Sequence, residues 1–164
     1  MRIKMVFDLS YHGEKVSTID PIVKGNAPDF TLHDLTGKKV TLSALTKPVL
    51  ISVFPKINTG VCALQTKNFN VEASQHQEID FLSISNNTPD EQKNWCAAEG
   101  VEMTILSDDG SFGKAYGLLM KEGPIAGRLA RSIFVIKNGA IVYSEILSEV
   151  SQEPNYDAAL KAAL

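Results

Sequence analysis

The run Val49-Leu50-Ile51-Ser52-Val53-Phe54 is apolar at five of its six positions and rich in β-branched residues. A run of this kind reads as a strand buried on both faces, and Pro55 forces the chain out of the sheet. Beyond the proline the period changes. Cys62, Thr66, Phe69 and Ala73 fall on one stripe at helical spacing, so a helix is expected from Thr59 to about Gln75 with that stripe toward the sheet or the thiol. Ile79 to Ser85 forms the next apolar run. A strand-helix-strand unit of this length implies a right-handed crossover and parallel pairing.

The flanking segments read as follows. Lys4 to Leu9 and Glu14 to Thr18 surround Tyr11-His12-Gly13, an N-terminal hairpin whose glycine supplies a positive φ. Asp20 to Pro28 reads as a turn-rich link. Phe30-Thr31-Leu32 and Val40-Thr41-Leu42 flank a turn over Asp34 to Lys38, and Ser43 opens a short helical turn. Thr88-Pro89-Asp90-Glu91 starts a helix, with Thr88 as cap, proline at the first position and two acids in the first turn; it runs through Trp95-Cys96 to Gly100. Met103 to Leu106 is a strand, and Phe112 to Tyr116 a short helix closed by Gly117. Leu118 to Arg131 is irregular, with Gly123-Pro124 and Gly127 allowing a loop that reaches back over the site. Lys137-Asn138-Gly139 joins Ser132 to Ile136 and Ile141 to Tyr143 in a hairpin, and Pro154 begins a terminal helix to about Ala163. Together these give an α/β chain with a central mixed sheet flanked by helices and an N-terminal hairpin. That arrangement fits a thioredoxin-like fold, as one domain over residues 1–164.

Composition narrows the function. A chain of 164 residues can bury a core without staples. The formal net charge of −3 and the lack of any basic run argue against a nucleic-acid or anionic-membrane partner. No apolar run approaches the roughly 18 residues of a membrane span, and the N-terminus lacks a secretory pattern, so a cytoplasmic protein is expected. There, two cysteines point to catalysis or redox sensing rather than a standing disulfide. The three histidines, His12, His33 and His76, stand apart from one another and from cysteine at metal-ligand spacing. His12 reads as a surface turn residue, and no metal or organic cofactor is expected.

The chemistry centres on Cys62. Asn58 or Thr59 can cap the helix whose first turn holds the cysteine, which places the sulfur among unpaired amides at a positive helix end. That setting favours the thiolate and lowers the thiol below its free value of about 8.5. Thr59, three positions earlier, can donate to the sulfur or to what it attacks. A thiolate can cleave the O–O bond of a hydroperoxide without further help, giving a sulfenic acid. The leaving oxygen then needs a donor and a fixed cation. Arg128 and Arg131 are both candidates for the cation on residue type alone.

Pro55-x-x-x-Thr59-x-x-Cys62 is similar to the active-site signature of the peroxiredoxins, and Val53-Phe54-Pro55 with Asn58-Thr59-Gly60-Val61-Cys62 resembles the thiol peroxidase subfamily. The likeness continues through Ala97-Ala98-Glu99-Gly100, Ala115-Tyr116-Gly117, Gly123-Pro124 to Leu129-Ala130-Arg131, Tyr143-Ser144-Glu145 and Glu153-Pro154-Asn155-Tyr156. It covers nearly the whole chain. The resemblance implies Cys62 as the peroxidatic cysteine, Arg131 as the carried-over cation and Cys96 as a resolving cysteine of the atypical two-cysteine type. It also implies reduction of hydrogen peroxide and organic hydroperoxides, with preference for alkyl hydroperoxides, recycling by thioredoxin and a homodimer. Pro55, Ile57, Val61 and Leu64 are expected to line the substrate. Asn58 departs from the acidic residue usual in the subfamily at that position.

Cys96 is the only other thiol and lies 34 positions after Cys62, on a different expected helix. Bonding requires the two α-carbons to come within about 7 Å, by local unwinding of one or both helices. A rival reading uses the same pair as a peroxide-responsive sensor or adaptor. A plain thiol-disulfide exchange protein would carry Cys-x-x-Cys, which is absent.

Overall fold

In a computed structural model of the chain, which describes residues 2–57, 60–99 and 104–164, short apolar runs divided by turn formers give eleven strands and four α-helices among the described residues. In order they are β1 (Arg2–Lys4), β2 (Phe7–Tyr11), β3 (Glu14–Ile19), β4 (Ile22–Asn26), β5 (Thr31–Asp34), β6 (Lys39–Thr41), β7 (Val49–Val53), α1 (Gly60–Gln75), β8 (Asp80–Ser85), α2 (Pro89–Glu99), β9 (Ile105–Ser107), α3 (Ser111–Tyr116), β10 (Ser132–Lys137), β11 (Ala140–Ile146) and α4 (Tyr156–Ala163). A 3-10 turn over Leu42–Ala44 occupies the place expected after Ser43.

Nine strands join in the order β1-β4-β11-β10-β7-β8-β9-β5-β6, while β2 and β3 form a separate hairpin. The strand β7 lies at the middle and all five of its residues are buried. It runs parallel to β8, with Val49 opposite Asp80, and antiparallel to β10, with Val53 opposite Ser132. Its uninterrupted apolar pattern follows from having a core on each side. Val49, Ile51 and Val53 pack with Phe112, Tyr116 and Phe134, whereas Leu50 joins Phe69, Ile133 and Ala159 beneath α1 and α4. The stripe read on α1 is buried at Cys62, Thr66 and Phe69, and Ala73 packs against the cluster that holds Phe69, while Cys62 belongs to a separate cluster with Phe54 and Trp95.

Three segments differ from the sequence reading. The hairpin arm read as Lys4 to Leu9 is divided, since Lys4 belongs to β1, which pairs with β4, and only β2, from Phe7, pairs with β3. The expected link from Asp20 to Pro28 contains β4, which pairs with both β1 and β11. Lys24, Gly25 and Asn26 disguise it, since its pairing comes from the neighbouring strands rather than from β-forming residues. The last helix is capped by Asn155, whose side chain accepts from the Ala158 amide at 3.1 Å, so Pro154 precedes the helix instead of opening it. Elsewhere the match is close. Thr88 Oγ1 accepts from the Glu91 amide while Glu91 accepts from the Thr88 amide, a reciprocal capping box at α2. His12 and Gly13, at φ 52° and 85°, form the tip of the β2–β3 hairpin. The expected C-terminal end of α2 at Gly100, and Met103 of the following strand, lie outside the described residues. No helix among the described residues is long and apolar enough to cross a membrane.

The end of α3 sets a local constraint. Gly117 closes the helix at φ 71°, and a Cβ there would lie 2.5 Å from the Asp20 carbonyl oxygen. At Gly37 (φ 86°) a Cβ would meet open space. Gly37→Ala therefore carries only the backbone penalty, about 1 kcal/mol, while Gly117→Ala adds a backbone overlap and is expected to cost about 2–4 kcal/mol. Urea unfolding of the two variants checks the order.

Candidate active site

Where β7 ends, the chain turns at the buried Pro55 and re-enters regular structure as α1, whose third residue is Cys62. Its amide is therefore among the first-turn N–H groups that have no partner within the helix. The sulfur-bearing residue is 1 % exposed. Because Ser132 pairs with Val53 at the end of β7, the residue before it, Arg131, arrives beside the same strand exit.

Arg131 is 3 % exposed, and its guanidinium is fixed in three directions. Nη2 donates to Cys62 Sγ at 3.2 Å, Nη1 to Gln65 Oε1 at 2.8 Å and Nε to the Val150 carbonyl at 2.8 Å. Gln65 is itself held, its Nε2 donating to Ser52 Oγ at 2.7 Å and to the Val53 carbonyl at 3.2 Å. Thr66 Oγ1 donates to the Cys62 carbonyl at 2.9 Å. Among the described residues, no carboxylate forms an ion pair with the guanidinium.

Of the two arginines left open by the sequence, Arg131 reaches the sulfur. Arg128 instead donates from Nη1 to Asn86 Oδ1 at 3.2 Å, and Asn86 Nδ2 donates to the Gly127 carbonyl at 2.6 Å, which ties the loop before β10 to the end of β8. Thr59 and Asn58 lie outside the described residues, so their placement beside the sulfur is not part of this geometry. Gln65 escaped the sequence reading. Its signal was a polar residue three positions after the cysteine, on a helix face otherwise destined for burial.

The expected lining residues separate. Ile57 is 1 % exposed and packs with Phe54, Cys62, Trp95 and Ile105; its amide donates to Asn87 Oδ1 at 2.8 Å. Pro55 is buried as well. Leu64, 44 % exposed, opens to solvent and takes no part in that cluster. Val61 lies in the first turn of α1, with its side chain outside the description.

Both cysteines are free. Cys96 is half-buried on α2 and packs against the cluster that contains Cys62 and Trp95. Burial pushes its thiol up, because a thiolate there would lose hydration without gaining a partner. The histidines stay apart: His12 is at the hairpin tip, His33 on β5, and His76 beside Glu72 and Glu78 after α1.

A family model described as Redoxin matches residues 23–160. The thiol peroxidase of Listeria innocua is 49 % identical over 146 residues, 86 % of this chain and 87 % of the relative. That of Bacillus subtilis is 39 % identical over 163 residues, covering 95 % and 96 % of the two chains. In three dimensions the chain resembles a peroxiredoxin-like protein from Aquifex aeolicus, with a TM-score of 0.86, 28 % identity and coverage of 94 % and 95 %. Cysteine, guanidinium and fold thus agree with sequence kinship, and the chain belongs to the redoxin family, in its thiol peroxidase branch.

Proposed function

We propose that the chain is a peroxidase that reduces hydrogen peroxide and organic hydroperoxides at Cys62. The observation that carries this reading is the 3.2 Å hydrogen bond from Arg131 to the Cys62 sulfur, between two buried residues. A guanidinium withdrawn from water is costly unless its charge is balanced. The sulfur it touches can supply that charge as thiolate.

The thiolate attacks the terminal oxygen of R–O–O–H. An S–O bond forms as the O–O bond breaks, and the R–O fragment leaves with the electron pair and takes up a proton as alcohol or water. The peroxide is reduced by two electrons and the sulfur becomes a sulfenic acid. Negative charge moves from sulfur to the leaving oxygen, so a donor fixed in advance serves the transition state better than the ground state. Arg131 is such a donor, oriented by Gln65 and Val150, and the sequence motif offers Thr59 as a second. An alkyl tail would be met by apolar residues of the strand exit, Pro55 and Ile57, on a local opening of the buried cluster that holds Ile57, and the motif adds Val61.

The Cys96 thiol then attacks the Cys62 sulfenic sulfur and expels water, leaving a disulfide. Packing of both residues against one cluster supports this pairing, and local unwinding of α2 or α1 is the movement it requires. A dithiol reductant, thioredoxin, restores both thiols by exchange. The family resemblance implies a homodimer, and a reducing, cytoplasmic setting suits two cysteines that stand as free thiols.

Stopped-flow Trp95 fluorescence after mixing with cumene hydroperoxide tests the reading. Cys62→Ser removes the fast phase, and Cys96→Ser halts at the sulfenic acid. A wild-type rate no greater than that of free cysteine rejects peroxidase function, whereas retention of the rate in Thr59→Val removes that residue from the mechanism. Gln65→Leu leaves Arg131 Nη1 and Ser52 without a partner; it should lower the oxidation rate about tenfold or more and unfolding free energy by about 1–3 kcal/mol. Because the Cys96 thiol is pushed above its ordinary value, its thiolate fraction is small at neutral pH. Its alkylation by iodoacetamide in the reduced protein should rise about tenfold per pH unit from pH 7 upward without levelling before pH 9.

A further inference from the structure

The N-terminal hairpin of β2 and β3 stands outside the nine-stranded sheet, yet it grips the segment that orients Arg131. The Ser10 amide donates to the Ser148 carbonyl at 2.6 Å, and the Val150 amide donates to the Ser10 carbonyl at 2.8 Å. Between them, the Glu149 carboxylate accepts from Ser10 Oγ, from Ser151 Oγ at 2.7 Å, and from the amides of His12 at 2.6 Å and Gly13 at 3.5 Å. Four donors converging on one side chain hold the carboxyl down to about 2. The tip suits this task, since a two-residue turn with positive φ at both positions presents successive amides to an anion.

The gripped segment touches Arg131 twice. The Leu147 amide donates to the Arg131 carbonyl at 3.1 Å, and the Val150 carbonyl accepts from Nε at 2.8 Å. Val150 is 3 % exposed, so its carbonyl is a fixed acceptor facing a buried cation.

We propose that Glu149 is a positioning residue for the peroxidase reaction: by clamping the hairpin tip it fixes the Val150 carbonyl, which aims the Arg131 guanidinium at Cys62. The inference rests on the peroxidase reading above and adds a remote residue to it. Glu149 touches neither substrate nor sulfur. It acts through Arg131 alone, which separates positioning from a general contribution to stability.

The test is a double-mutant cycle on the second-order rate constant for Cys62 oxidation by cumene hydroperoxide, measured in full-length protein with unfolding curves for each variant. Glu149→Ala should slow oxidation about tenfold, since a displacement near 1 Å of a catalytic group can cost up to about a hundredfold. Glu149→Gln, which keeps length and one acceptor oxygen, should recover part of that loss. In an Arg131→Ala background, Glu149→Ala should change the rate less than about twofold. If Glu149→Ala does not fold, Ser10→Ala takes its place in the same cycle, with an expected loss of about threefold. Equal slowing in both Arg131 backgrounds, or no slowing in the folded variant, overturns the proposal. Wild-type peroxide consumption by Cys62→Ser would instead overturn the peroxidase reading.

Discussion

The contact between the Arg131 guanidinium and the Cys62 sulfur is the constraint on which the site depends. A cation 3 % exposed needs balancing charge, and a sulfur 1 % exposed has little water to stabilise it as an anion. The two meet at 3.2 Å, so the cation lies where it can act on charge that develops at the sulfur. The remaining polar atoms around them serve to keep that pair aligned: Gln65 spans from the guanidinium to Ser52, and the Val150 carbonyl takes the third N–H direction.

The sheet order makes this contact possible. Because β7 is flanked by β8 on one side and β10 on the other, the helix that leaves β7 and the residue that enters β10 meet at one end of the sheet. The even-numbered residues of β7 illustrate the division of labour. Leu50 faces the core beneath α1 and α4, while Ser52, two residues on, presents its hydroxyl to Gln65. One strand thus anchors the helix by burial and orients the site by hydrogen bonding. The loop from Ser148 to Ser151, outside any strand, completes the frame from the far side.

Much of this was legible in the sequence because local chemistry and the global fold agree. The proline after a doubly buried strand, the cysteine in the first helical turn, the Thr88 cap and the Asn138-Gly139 hairpin each carry a signal confined to a few residues. The strand β4 was not legible, since it is defined by partners distant in sequence rather than by its own residues. Gln65 and Glu149 were hidden for a related reason. A glutamine or glutamate says nothing of its partners until the fold brings Arg131 to the one and the hairpin tip to the other. The choice between Arg128 and Arg131 was likewise beyond composition. Only the register of β10 against β7 separates the arginine that meets the sulfur from the one that ties down a loop.

The most direct test of the central claim is the ionisation state of the Cys62 sulfur, read as thiolate ultraviolet absorbance of the reduced, folded protein at neutral pH. Cys62→Ser serves as the blank, and Arg131→Met removes the cation while keeping an apolar side chain. The account predicts a thiolate band in the wild-type protein that is lost in Cys62→Ser and strongly diminished in Arg131→Met. A wild-type protein without that band, or a band unchanged in Arg131→Met, would contradict it.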